Sequence, residues 1–183
     1  MQPARTDLRV TPGVTYRDTL RIMQPDYAYR VISAVAGAPA VLTVPGHGLE
    51  SDWPVWVRGV TGMPDLNREP GRQLPHRARR VDVDTLEINT LSAAALRPAG
   101  GELIYRLPVD LVDATMFFNV FSGGSEVLSL SLGAGLALTA PGTLSRELTA
   151  EQTALLIGDD ITYTFDVHYP GGVITRYFEG RLV

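Results

Sequence analysis

Hydrophobic and polar residues alternate along much of the chain with a period of two. The alternation is clearest in residues 16–23, 81–89 and 161–169. Because successive side chains of a strand point to opposite faces, each segment predicts a strand with one buried face and one solvated face. Shorter apolar runs bounded by turn residues predict eight more strands, at residues 29–35, 40–44, 55–60, 102–106, 114–121, 127–132, 143–148 and 173–183.

One helix is predicted near the C-terminal end. Thr149 and Gln152 have the spacing of a capping box, in which each side chain hydrogen-bonds to the backbone of the other residue. Gly158 marks the predicted end, which gives a helix of about two turns. A second helical turn is expected at residues 92–96. Three residues near the end of the first helix are expected to close one open end of the fold: Ala154, Leu155 and Ile157.

Composition changes near residues 27 and 107. The segment between them contains both tryptophans, many of the prolines and most of the clustered arginines. The strands on either side need partners, and the simplest solution pairs them with each other. The sequence therefore predicts an all-β protein: an immunoglobulin-like β-sandwich formed by residues 1–26 and 107–183, one short helix, and a small β-barrel inserted at residues 27–106.

The composition excludes several kinds of chemistry. The chain has 183 residues, of which 45% are hydrophobic, and a net charge of −4, so neither free nucleic acid nor an anionic membrane is an expected partner. It has no cysteine, and all 16 basic residues are arginine. Disulfides, thiolate metal sites and lysine Schiff bases are therefore excluded. Without an apolar run of secretion-signal or membrane-spanning length, we expect an intracellular product.

Short motifs follow one another in a characteristic order along the two flanking segments. One of them, residues 109–116, places Asp110 and Leu111 after a hydrophobic residue and Ala114 three positions later. In order and spacing the motifs resemble the immunoglobulin-like domain of many tailed-phage tail and baseplate proteins, over roughly half of the chain. The matching pieces are residues 18–21, 109–116, 128–130, 136–138, 142–149, 150–154, 163–167, 172–176 and 178–181.

The middle segment is similar to a second module. Its pieces resemble the small β-barrel of the first catalytic cysteine half-domain of ubiquitin-activating enzymes, a module that also occurs inside phage structural proteins. Residues 68–80 form a longer insertion than that module usually has. A barrel alone does not specify an activity, so no ubiquitin chemistry is implied. The matching pieces are residues 31–34, 41–44, 46–49, 55–57, 59–63, 66–67 and 83–88.

The two resemblances together imply a function in virus assembly. They imply a noncatalytic structural protein of a tailed-phage virion, made in the host cytoplasm and placed in the tail tip, baseplate or a tail adaptor. Its expected partners are other virion proteins and further copies of itself in a symmetric assembly. Two alternatives stay open: a capsid decoration or head-completion protein, and a carbohydrate-binding module that recognises a host glycan.

The strongest local charge signal is a group of arginines in the middle segment. Guanidinium groups make paired hydrogen bonds to carboxylates and phosphates, so the group is a candidate partner surface. No repeated aromatic positions accompany it, which favours a protein partner or plain solvation over nucleic acid. Trp53 and Trp56 are three residues apart and cannot share a strand face, so one is expected inside and the other at an interface or a sugar site. The arginines are Arg68, Arg72, Arg77, Arg79 and Arg80.

The remaining polar residues do not predict a catalytic, metal or cofactor site. His47, His76 and His168 are far apart in sequence, and His47 lies between two glycines, as in a turn. No nucleophile elbow or dinucleotide fingerprint occurs. Acidic pairs read as surface or turn charges rather than as opposed carboxylates in a cleft, and an enzyme would need a pocket that gathers Asp110, Asp113 or His168. The pairs are Asp110 with Asp113, Asp82 with Asp84, and Asp159 with Asp160.

Overall fold

The computed structural model describes residues 2–158 and 160–183. These residues form fifteen strands, one α-helix, α1 (Ala150–Ala154), and one turn of 3-10 helix (Pro64–Leu66). This confirms the predicted all-β class with one short helix. The strands are β1 (Ala4–Arg5), β2 (Tyr16–Arg21), β3 (Met23–Val31), β4 (Ala34–Ala36), β5 (Ala40–Thr43), β6 (Trp53–Arg58), β7 (His76–Arg80), β8 (Thr85–Ile88), β9 (Glu102–Pro108), β10 (Thr115–Ser122), β11 (Ser125–Leu132), β12 (Gly135–Ala140), β13 (Thr143–Leu148), β14 (Ile161–His168) and β15 (Ile174–Arg181).

Contacts divide the chain into two compact units. The sandwich unit consists of the described residues of Met1–Ile22 and Asp110–Val183, and the inserted unit is Met23–Val109. These limits lie a few residues outside the segment 27–106 that composition suggests. The reason is that β3 and β9 pair along their length, from Met23 opposite Pro108 to Val31 opposite Glu102, so both strands belong to the insertion.

The sandwich unit is one curled sheet of eight strands. Their order is β1-β15-β14-β10-β11-β12-β13-β2. The sheet turns where β11 and β12 pair over only two positions, Ser131 with Gly135 and Leu132 with Leu136. Because Arg146 of β13 packs on Phe118 of β10, a strand that is not its neighbour in the sheet, the two halves face each other as the layers of a sandwich.

The inserted unit is a second curled sheet with the order β3-β9-β6-β7-β8-β5-β4. Alternate residues of its strands point into one core, which gives the unit the form of a small half-barrel. Trp53 and Tyr105 are the largest apolar side chains in this core. Its other large members are Ile32, Leu42, Leu49, Met63, Leu66, Leu86, Ile88 and Leu103.

Two local predictions in the inserted unit were wrong. The segment 68–80, expected as a loop, ends in strand β7, in which buried His76 and Ala78 alternate with exposed arginines. Residues 81–84, expected as the start of a strand, form a turn. Asp82 accepts the Asp84 amide at 2.9 Å within this turn, and Asp84 accepts the Gly46 amide at 2.9 Å, which ties the turn to a neighbouring loop.

The helix begins as predicted and ends early. The capping box is present: Thr149 Oγ1 accepts the Gln152 amide at 3.2 Å, and Gln152 Oε1 accepts the Thr149 amide at 2.9 Å. The helix then stops at Ala154, so Thr153 and Leu156 are the buried residues. The expectation that Ala154, Leu155 and Ile157 close the sandwich is wrong, because all three residues are exposed.

Two further segments are simpler than expected. Residues 92–96 form a hydrogen-bonded turn from Leu96 to Ala93 instead of a helical turn. The pair Asp159 and Asp160 cannot be assessed, because Asp159 lies outside the described residues.

Among the residues that the structure describes, no helix has both the length and the apolar character needed to cross a membrane.

Candidate partner-binding surface

The outer face of β3, β9 and β6 in the inserted unit carries aromatic and arginine side chains. The registers place Tyr27 opposite Arg106, Tyr29 opposite Ile104, and Ile104 opposite Trp56. Because side chains alternate along a strand, these residues share the face that points away from the core. We call it the aromatic–arginine face, defined by Tyr27, Tyr29, Trp56, Arg58, Ile104 and Arg106.

A layer of rings covers Ile104 at the centre of this face. Ile104 is only 1% exposed, although it lies on the opposite side of β9 from the core residues Leu103 and Tyr105. The rings of Tyr27 and Trp56 meet edge to face at a centroid distance of 5.9 Å. Edge-to-face pairs of this kind add stability beyond the area they bury, so the layer is a packed surface.

Arginines lie over the rings and give the face a positive rim. The guanidinium carbon of Arg106 is 4.7 Å from the Tyr27 centroid, and that of Arg58 is 5.8 Å from Tyr29. Arg58 also bonds Glu102 at 2.8 Å. Among the described residues Arg106 has no carboxylate partner, and its buried Nε has no hydrogen-bond acceptor. An acidic group on a partner would supply the missing carboxylate.

The five predicted arginines do not form one uniform patch. Arg79 makes two bonds to Glu87, at 3.0 and 2.8 Å, and this carboxylate raises the pKa of Arg79. The side chains of Arg68 and Arg80 donate to backbone carbonyl oxygens. Arg77 lies 3.9 Å from Asp52, and Arg72 is exposed. The carboxylates nearest to this group are thus Glu87 of β8 and Asp52.

The two tryptophans lie on opposite faces of β6, as their spacing predicts. Trp53 is 1% exposed and donates its indole N–H to the Arg106 carbonyl oxygen at 2.7 Å. Trp56 is half-buried and donates to the carbonyl oxygen of Gln73 at 2.8 Å. Only Trp56 therefore belongs to the candidate surface, and the loop that leads to β7 fixes its orientation.

The two histidines of the inserted unit form hydrogen bonds with its backbone. His47 Nδ1 accepts the Leu49 amide at 3.0 Å, so Nε2 carries the proton and donates to the Asp82 carbonyl oxygen at 3.1 Å. The hydroxyl of Tyr105 donates to the carbonyl oxygen of His47. His76 Nε2 donates to the Leu66 carbonyl oxygen at 2.9 Å. Burial lowers the pKa of both rings, which favours the neutral form.

The structure separates Asp110, Asp113 and His168 from two cavities of the sandwich unit. Asp110 accepts the Val112 amide in a turn, and His168 stacks on Phe117 at 5.0 Å. Neither of two open cavities, of about 520 and 440 Å³, is lined by Asp110, Asp113 or His168. Within the described part of the chain, no group of three or more acidic or histidine residues could hold a metal ion.

Sequence reasoning missed most of the aromatic–arginine face. Tyr27, Tyr29, Arg58 and Arg106 are separated by up to about eighty positions, and the pairing of β9 with β3 and with β6 brings them together. The period-two spacing of Tyr27 and Tyr29 was a visible signal. Comparison of the chain with protein-family models and with curated proteins finds no match.

Proposed function

We propose that this chain is a noncatalytic structural protein of a tailed-phage virion that acts by protein–protein contact in a tail tip, baseplate or tail adaptor. The observation that carries the contact function is the aromatic–arginine face. Tyr, Trp and Arg are the residues that most often dominate binding energy at protein interfaces. The resemblance of the flanking segments to phage tail domains supports the placement in a virion.

The physical support is that this face is ordered before a partner arrives. Tyr27, Trp56 and Arg106 hold one another through ring and cation contacts, and Gln73 fixes the indole. A surface that is already ordered loses little side-chain entropy on binding. Tyr29, 49% exposed, offers further aromatic area.

A host-glycan site is the second candidate, because the edge of Trp56 and the ring of Tyr29 offer an aromatic surface to a sugar. The complete burial of Trp53 leaves one indole for that role. A glycan array probed with the chain and with Tyr29→Ala distinguishes the two functions. Signal that the substitution removes supports the glycan function, and absence of signal at every sugar excludes it.

The test of the proposed function is immunogold labelling, with an antibody against this chain, of phage particles purified from cells that produce it, viewed in negative stain. Gold at the tail tip or baseplate is the expected result. Gold over the shell would support the capsid decoration or head-completion alternative instead. Particles that contain no detectable chain, by labelling and by mass spectrometry of the purified virion, would overturn the virion assignment.

A further inference from the structure

A second unpartnered surface lies at one end of the sandwich unit, around α1. Leu155 is 69% exposed, Ile157 74% and Val14 55%. The backbone beneath them is fixed, because the buried hydroxyl of Thr153 donates to the Val14 carbonyl oxygen at 3.0 Å and Leu156 is buried. We call this surface the α1 end, defined by Val14, Glu151, Leu155, Ile157 and Asp160.

The α1 end is apolar at its centre and acidic at its edge. Glu151 is exposed and has no basic partner among the described residues, and Asp160 is 3.6 Å from Arg181. Exposed apolar groups with a charged rim are typical of a protein–protein contact. Glu151 and Asp160 give this one a negative character.

The strand registers place the α1 end opposite the connections to the inserted unit. In the β13–β2 pair, Leu148 lies opposite Tyr16 and Thr143 opposite Arg21, so α1 is at the far end from Ile22. In the β10–β14 pair, Ser122 lies opposite Ile161, again far from Asp110. Within the sandwich unit, the α1 end is therefore at the end of the strands far from Ile22 and Asp110.

The inserted unit has no net charge and the rest of the chain has −4, so charge complementarity between copies rests on local groups. The inserted unit has nine arginines and nine acidic residues, whereas the rest of the chain has seven arginines and eleven acidic residues. The aromatic–arginine face contributes unpaired Arg106, and the α1 end contributes Glu151. Aromatic rings on one surface and aliphatic side chains on the other complete the complementarity.

We propose that copies of this chain associate head to tail, with the α1 end of one copy bound to the aromatic–arginine face of the next. This inference rests on the proposed assembly function and names its partner as a second copy. The contact joins two different surfaces, so it repeats from copy to copy and closes into a ring or continues as a filament. Glu151 lies near Arg106 of the neighbouring copy.

Sedimentation velocity on the full chain, across a concentration series at low and high salt, tests this contact. The face variant is Tyr29→Glu, with Arg106→Glu as a second version, and the end variant is Leu155→Asp with Ile157→Asp. The matched controls alter equally exposed apolar residues elsewhere, Val83→Asp in the inserted unit and Val173→Asp in the sandwich. Circular dichroism checks that every variant folds.

We expect the wild type and both controls to form species larger than dimers, more of them at low salt, because charge attraction is screened by ions. The face variant alone and the end variant alone should each be monomeric. Their equimolar mixture should give a 1:1 dimer, since each variant retains one intact half of the contact. That dimer is the specific signature of a head-to-tail interface.

Three results would overturn the inference. The first is a wild type that stays monomeric at all concentrations, and the second is a mixture of the two variants that stays monomeric. The third is an end variant that assembles as the wild type does, because such assembly would indicate face-to-face pairing. A monomeric wild type whose gold label still marks the tail would leave the proposed virion function in place and assign the aromatic–arginine face to another virion protein. Self-assembly without particle labelling would do the reverse.

Discussion

The guanidinium of Arg146 lies 4.3 Å from the ring centroid of Phe118, between the two layers of the sandwich. Its side chain is 1% exposed and forms a two-point contact with Asp18: Nε donates to Oδ1 at 3.0 Å and Nη2 to Oδ2 at 2.5 Å. Asp18 also accepts a hydrogen bond from the Tyr16 hydroxyl at 3.0 Å. The pKa of Tyr16 is raised, first by burial and then by the negative charge of Asp18. A buried cation thus links β2, β10 and β13.

Replacement of Asp18 should destabilise the sandwich unit strongly. Asp18→Asn leaves the buried charge of Arg146 without its counter-ion, which typically costs about 3–5 kcal/mol. Chemical unfolding followed by far-UV circular dichroism measures the loss. The matched control is Glu147→Gln, which breaks the exposed pair of Glu147 with Arg17 and should cost less than about 1 kcal/mol. Equal effects of the two substitutions would contradict the role of burial.

Acid should weaken the inserted unit first. His47 Nδ1 accepts an amide hydrogen, and buried His76 Nδ1 has no partner, so a proton on either ring is unfavourable in the folded state. Both folded pKa values lie below the ordinary value of 6.5, mainly because of burial. The positive charge of Arg80 lowers the pKa of His47 further, and that of Arg68 lowers the pKa of His76. Asp82 and Asp84 raise the pKa of His47 and so oppose this shift. The contribution of the neutral rings to stability is therefore complete above pH 6.5 and is lost as pH falls from 6.5 to the lowered pKa values.

Tryptophan fluorescence reports this unit, because both tryptophans lie in it. As pH falls from about 6.5 to the lowered pKa values, the free energy of unfolding should decrease by up to about 1.4 kcal/mol per pH unit for each histidine, because only the unfolded state binds the proton in that range. Below the lowered pKa values both states bind it, and the decrease should level off. His47→Gln should reduce the slope. His168→Gln, in the sandwich unit, should leave the tryptophan signal unchanged. A free energy that rises on acidification would contradict the assignment.

The hydroxyl of Tyr105 should contribute measurably to the same unit. Tyr105→Phe keeps the buried ring but removes the donor to the His47 carbonyl oxygen, which typically costs about 1–3 kcal/mol. Tyr29→Phe is the control, since that ring is exposed. Denaturant unfolding followed by tryptophan fluorescence compares the two. A Tyr105→Phe variant as stable as the wild type would show that water replaces the lost donor.

Gly180 should be required for the N-terminal strand to dock. A Cβ at this position would overlap the carbonyl oxygen of Thr6, and that oxygen also accepts the Tyr163 hydroxyl at 2.6 Å. Gly180→Ala should therefore detach β1, at a cost of roughly 1–3 kcal/mol. Hydrogen exchange should accelerate at the amides of Thr6 and Leu8, which in the wild type donate to backbone carbonyl oxygens of β15. Amides between β10 and β14 serve as the internal control, and unchanged exchange at Thr6 would refute the prediction.

Periodicity predicted most of the strands because burial alternates cleanly within them, as in Met116, Phe118 and Val120 of β10. It failed at Asp82 and Asp84, where a turn replaces a strand: Asp82 accepts the Asp84 amide, and Asp84 accepts the amide of Gly46 in another loop. It also failed at Leu155. A capping box locates the start of a helix, but tertiary packing of Thr153 and Leu156 sets its end.

The candidate surface was only partly predictable for a topological reason. The clustered arginines were visible in sequence, yet Arg79 pairs with Glu87 between β7, a strand that was not predicted, and β8, which lies within the predicted strand 81–89. Tyr27 and Arg106 come together through the pairing of strands from opposite ends of the insertion. Pairings between distant strands depend on the whole fold, and local spacing does not encode them.

The account depends most on the sandwich being one folded unit from which residues 23–109 are a separate insertion. Met23 and Pro108 are paired in the β3–β9 ladder, roughly 5 Å apart, so a short glycine–serine linker can replace residues 23–109. The account predicts that this shortened chain, which has no tryptophan, unfolds cooperatively and keeps the near-ultraviolet dichroism of buried tyrosines. A shortened chain that unfolds gradually and lacks that signal would contradict it.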